Sequence, residues 1–204
     1  AQRVVDGHGF SFGEMHWPIT RADEPTAHWS FLYTLFLAGI YGLIGVNPLV
    51  VRLIQVLLVS VIHIWLVYRL GKAVFGKLTG VWAAALTSIY IYFIYYAGAL
   101  MTEPFYIIGI LWALDAALRI MRNAARVKEN GLTTSRQINV PWSEWLELGL
   151  AIGFTMLMRQ VFGLFVPVLF LWIWWVISGS ARRAAAMDPN ADDQTSGFSG
   201  SLRF

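Results

Sequence analysis

The chain has 204 residues, 57% of them hydrophobic and 13% charged, with a net charge of +3. That charged fraction is about half of what a soluble domain carries, and 10 Trp, 8 Tyr and 13 Phe suit a membrane protein with aromatic belts. Cysteine is absent, which excludes a disulfide framework, a thiolate nucleophile and a Cys-ligated metal.

The first residues, AQRVVDGHGF, lack an initiator Met and the basic, apolar and small-residue pattern of a signal peptide. They read as the interior of a longer protein. Residues 1–28 are polar and hold three of the four His. Trp29–Val46 is apolar on all sides, with Ser30, Thr34, Ala38 and Gly42 forming a small-residue stripe that permits close helix packing. It either spans the bilayer or lies along its surface.

Clear spans follow, because about 20 mostly apolar residues cross a membrane. Leu49–Leu70 is apolar except for Arg52, Gln55, Ser60 and His63. Gly80–Leu100 carries no charge, and Pro104–Ile120 carries only Asp115. Trp145–Trp175 is too long for one span and is read as two helices turning near Arg159. Residues 179–204, rich in Ser, Gly, Ala and Asp, are expected to be a flexible cytoplasmic segment.

Basic clusters decide the orientation. Arg69, Lys72 and Lys77 follow one span; Arg119, Arg122, Arg126, Lys128 and Arg136 follow another; Arg182 and Arg183 follow the last. The positive-inside rule puts all three clusters on the cytoplasmic side. The turns at 47–48, 101–103 and 159–160 then lie outside. The expected fold is an all-α integral membrane protein of about five transmembrane helices plus one juxtamembrane helix. Its regions are an external loop over 1–48 containing the helix 29–46, a helical region over 49–178, and the segment 179–204.

Ionisable groups near lipid are costly and usually functional. Glu103 is read either as a carboxylate at the mouth of a cavity or as an ordinary acid in a helix's first turn, beside Thr102 and Pro104. Arg159 is an anion site, since guanidinium matches phosphate bidentately, or a side chain that snorkels to headgroups. Arg52 has the same two readings. Asp23 and Glu24, with His8, His16 and His28, offer donors suited to a divalent metal, but without tight ligand spacing; a solvated loop is the alternative. Asp115 and His63 are read as interhelical hydrogen-bonding groups or as functional charges within the spans. No Gly-rich phosphate loop or serine elbow is present, and the basic residues are explained by topology rather than by nucleic acid.

Several elements, in order, resemble bacterial membrane glycosyltransferases of the GT-C superfamily, family-39 type, akin to protein O-mannosyltransferases and the aminoarabinose transferase of lipid A. They are Tyr33–Gly45 (YTLFLAGIYGLIG), Arg52 with Gln55, Gly71–Gly76 (GKAVFG), Thr102-Glu103-Pro104-Phe105, and Gly149–Arg159 (GLAIGFTMLMR). The resemblance covers residues 1–178 and implies an incomplete GT-C fold, with Trp29–Val46 a juxtamembrane helix of the first external loop. It implies transfer of a sugar from a polyprenyl-phosphate donor to a lipid, glycan or protein acceptor at the external, periplasmic face of a bacterial inner membrane. It further implies a carboxylate as general base and cations, sometimes with a divalent metal, at the leaving phosphate.

Glu103, Asp23 and Glu24 are the catalytic candidates within the chain, and Arg159 and Arg52 the donor-phosphate candidates. The family's main catalytic Asp is expected upstream of Ala1, because Asp6 lies too close to Gly7-His8-Gly9-Phe10. Where the family often has Arg-Pro-Pro, this chain has His28-Trp29-Ser30. By itself the piece is expected to be inactive. A non-enzymatic transporter or assembly subunit is the alternative; it predicts charge at the bilayer midplane rather than at one face.

Overall fold

The computed structural model describes residues 1–15, 21–25, 30–129 and 141–185. Among them the regular elements are helical: α1 (Gln2–Val5), α2 (Phe31–Ile44), α3 (Pro48–Phe75), α4 (Lys77–Ile89), α5 (Ile91–Gly98), α6 (Glu103–Glu129), α7 (Trp142–Met158) and α8 (Val166–Ala185). A 3-10 turn, Gln160–Leu164, joins the last two. Of the segment expected to be flexible, α8 runs to Ala185, and 186–204 lie outside the described residues.

Local chemistry sets the boundaries. The Ser30 hydroxyl accepts from the Tyr33 amide at the start of α2. Asn47 accepts from the amides of Leu49 and Val50 at the start of α3, with Pro48 in the first turn, where its missing N–H costs nothing. Gly76, at φ 98°, turns the chain into α4. The α3–α4 hairpin then closes on bare backbone: a Cβ on Gly80 would stand 2.7 Å from the Lys72 nitrogen and 2.8 Å from the Tyr68 oxygen.

Among the described residues, three helices are long and apolar enough to cross a membrane, or four if α4 and α5 form one broken span. The sequence predicts five; the difference lies in α7, whose 17 residues sit at the lower edge of a spanning range of roughly 17–25. α2 has only 14 residues, about 21 Å of helix, too short to cross a hydrocarbon core of about 30 Å. The charge-free stretch 80–100, read as one helix, is instead bent by 57° at Tyr90, which adopts extended backbone angles. Aromatic and β-branched residues crowd that point (Ile89-Tyr90-Ile91-Tyr92), and these are weak helix formers.

α6 is the central element. Its small residues Ala113, Ala116 and Ala117 are buried against Leu148 and Ala151 of α7 and Leu169 and Ile173 of α8. Gly109 lets Thr155 approach so closely that a Cβ there would lie 2.4 Å from its hydroxyl. Lipid does not drive helices together by the hydrophobic effect, so close packing of small residues does that work. Outward-facing Leu53, Leu57, Val61 and Trp65 on α3, and Leu171, Trp174 and Trp175 on α8, are exposed and suit lipid contact.

A polar cluster centred on the buried Asp115 lies among these helices. Asp115 pairs with Arg69 of α3 at 2.7 Å and with Arg119 one turn along α6 at 3.3 Å. Arg119 also pairs with Glu147 of α7, which accepts from the Trp112 indole at 3.0 Å. Asp115 is therefore an interhelical tie, as one sequence reading has it. His63 makes no hydrogen bond among the described residues; its ring meets Phe93 edge-on at 4.5 Å.

Candidate active site

Contacts along the bundle set the helix directions. α6 and α7 run antiparallel, since Asn123 meets Glu144, Gly109 meets Thr155, and Glu103 meets Arg159. α3 runs parallel to α6, with Gln55 near the end of α5 and Arg69 beside Asp115. The starts of α3 and α6 and the ends of α5 and α7 therefore gather at one end of the bundle. α2 joins them: the Ser30 hydroxyl donates to the Leu157 carbonyl at 3.1 Å.

Gln55 organises this end. It is fully buried and uses both ends of its amide. Its Nε2 donates to the carbonyls of Ala97, at 3.0 Å, and Ala99, at 2.6 Å, where α5 stops. Its Oε1 accepts from the Tyr33 hydroxyl at 3.0 Å. Burial, with Tyr41 and Glu103 nearby, pushes the Tyr33 phenol up to about 12, so it remains a donor at physiological pH. Tyr33 and Phe36 of α2 also pack on the Phe105 ring. The non-helical residues between α5 and α6 are thus held from both sides, immediately before Glu103.

Glu103 opens α6, and the Thr102 hydroxyl donates to its Oε2 at 3.4 Å. Its other carboxylate oxygen pairs with Arg159, where α7 gives way to extended backbone and the 3-10 turn. The Arg159 guanidinium also lies over the Tyr106 ring, 5.8 Å from its centre. The pair stays open to the surroundings, with side-chain exposures of 47% for Arg159 and 34% for Glu103.

The other predicted residues are placed differently. Arg52 is exposed, one turn before Gln55, and has no ion pair among the described residues. Asp23 pairs with Arg3, which also bonds Ser11, and Glu24 lies 3.8 Å from Arg21. Asp23 therefore ties its loop back to α1, Glu24 sits beside an exposed arginine three residues away, and neither lies in the Glu103–Arg159 pair. The N-terminal loop rests on α2 through Phe10, stacked on Phe31 at 4.5 Å. His8 is exposed, while His16 and His28 lie outside the described residues. Among the described residues, no group of three or more His, Asp or Glu is placed to hold a metal. Sequence reasoning named Gln55 only beside Arg52, and it missed Tyr33 and Tyr106. A lone amide inside a spanning run was the signal for Gln55; Tyr106 carried none.

A family model described as dolichyl-phosphate-mannose-protein mannosyltransferase matches residues 28–188. The chain belongs to this family. No curated protein and no solved structure matches it. As a member of the mannosyltransferase family, the chain is of membrane glycosyltransferase type, of the GT-C kind that the sequence resembles. The matched stretch contains Gln55, Glu103 and Arg159, whereas Asp23 and Glu24 precede it.

Proposed function

We propose that the chain takes part in transferring a sugar from a polyprenyl-phosphate donor to a lipid, glycan or protein acceptor, and that the Glu103 end of the bundle faces the reaction. The carrying observation is the pair Glu103–Arg159 set over Tyr106 at converging helix ends. A family named for a dolichyl-phosphate sugar donor supports a lipid-phosphate substrate. The placement of the basic clusters supports an external, periplasmic position for this end.

In the transfer, the acceptor hydroxyl oxygen bonds to the anomeric carbon as that carbon's bond to the phosphate oxygen breaks. The electron pair of the broken bond leaves with the phosphate, and the hydroxyl proton passes to a carboxylate. Arg159 is the cation for the charge that grows on the departing phosphate. Glu103 supplies a carboxylate on the acceptor side.

The test uses the full-length gene product, with transfer from a polyprenyl-phosphate sugar followed by labelled acceptor. Replacing a group that stabilises developing charge costs on the order of 100-fold in rate. Arg159→Ala and Glu103→Ala are each expected to lose activity on that scale. Activity kept in both variants removes this end of the bundle from the reaction.

A further inference from the structure

We infer that Glu103 is a built-in competitor for the anion that Arg159 binds, so that formation of the leaving phosphate monoester at Arg159 releases the Glu103 carboxylate. The inference rests on the reading of Arg159 as the donor-phosphate cation and adds a coupling between the two residues.

The two ion-pair clusters of the α6–α7 pair make the case by contrast. At the Asp115 end, Arg119 is held by two acids, and the Asp115 side chain is 5% exposed. Arg119 and Glu147 are about as exposed as Glu103, but removing the arginines strands the buried Asp115 charge away from water, so Asp115 does not exchange partners readily. At the other end, Arg159 has one acid, and both side chains are substantially exposed. Exposed pairs are weak, because water and ions screen them. A phosphate monoester carries more charge than a carboxylate and fits the same planar fork of donors. It is therefore suited to displace Glu103.

The surroundings permit the exchange without rebuilding the site. The Tyr106 face retains the guanidinium after the acid leaves. Glu103 needs only a side-chain rotation, since the backbone before it is tied through Gln55. The freed carboxylate remains beside the bound phosphate. The donor is a phosphodiester with a single charge, and breaking its sugar–phosphate bond leaves the monoester, so the acid is freed as the acceptor hydroxyl gives up its proton.

The test is equilibrium binding of a radiolabelled polyprenyl monophosphate to the full-length gene product in phosphatidylcholine nanodiscs. Glu103→Gln keeps the shape and removes the competing charge. It is expected to bind the probe up to about fivefold more tightly than the wild type, the ceiling set by an exposed ion pair. In an Arg159→Ala background the same substitution is expected to change nothing. Unchanged or weaker binding by Glu103→Gln, while Arg159→Ala loses the probe, overturns the competition and leaves the phosphate reading standing. Equal binding by wild type and Arg159→Ala overturns the phosphate reading itself. In nanodiscs containing phosphatidylglycerol, displacement of the probe through Arg159 identifies a general headgroup site and overturns the donor-specific form.

Discussion

Gln55 is the residue on which the candidate site most depends. An amide buried in an apolar bundle is costly unless each of its groups finds a partner, and Gln55 finds Tyr33, Ala97 and Ala99. Gln55→Leu keeps the volume but strands the Ala97 carbonyl and a phenol hydroxyl, while the Ala99 carbonyl keeps the Met101 amide. Leaving a buried polar group unpaired costs about 1–3 kcal/mol, so a clear fall in detergent thermal unfolding temperature is expected. Unchanged stability would mean that water replaces the amide. The sequence marks Gln55 as out of place in its span, but its three partners come from positions 22, 42 and 44 residues away. No local rule finds such partners. Glu103 shows the opposite case: first-turn chemistry explains the acid locally, and only the fold adds Arg159.

At the scale of elements, backbone contact between helices is the controlling feature. α3 and α4 meet at Gly71 and Gly80, where a Cβ would strike neighbouring backbone rather than a flexible side chain. Gly80→Ala is expected to destabilise the hairpin by about 1–3 kcal/mol, the usual cost of overpacking. Gly39→Ala serves as the control, because nothing lies within 4 Å of a Cβ added there. Equal unfolding temperatures for the two variants would show that the hairpin relaxes freely. The helices themselves were legible from apolar runs and punctuation, including the break at Arg159. The bend at Tyr90 was not, because no Pro or Gly marks it and the run 80–100 is uniformly apolar.

At the scale of the whole molecule, two polar ends are separated by an apolar bundle. One end holds Glu103 and Arg159; the basic residue Lys77 lies at the opposite turn, after α3. The 204 residues hold no Cys, so single cysteines introduced here meet no competing thiol within this stretch and report its sidedness. Met101→Cys and Gln160→Cys are expected to react with a membrane-impermeant maleimide from outside, and Lys77→Cys only after permeabilisation. Labelling of all three from one side would contradict the orientation drawn from the basic clusters.

By itself, the sequence determined the class, the helices and the end of the bundle where an acid and an arginine occur. Hydropathy acts over consecutive residues, so spans and their caps are written locally. Only the tertiary structure decided which charges meet. Asp115 became a tie among α3, α6 and α7, Asp23 and Glu24 turned to arginines of their own loop, and Glu103 reached Arg159 across 56 residues. The physical reason is range. A charge pairs with whatever packing brings within a few ångströms, and helix packing here depends on small residues whose partners lie far along the chain.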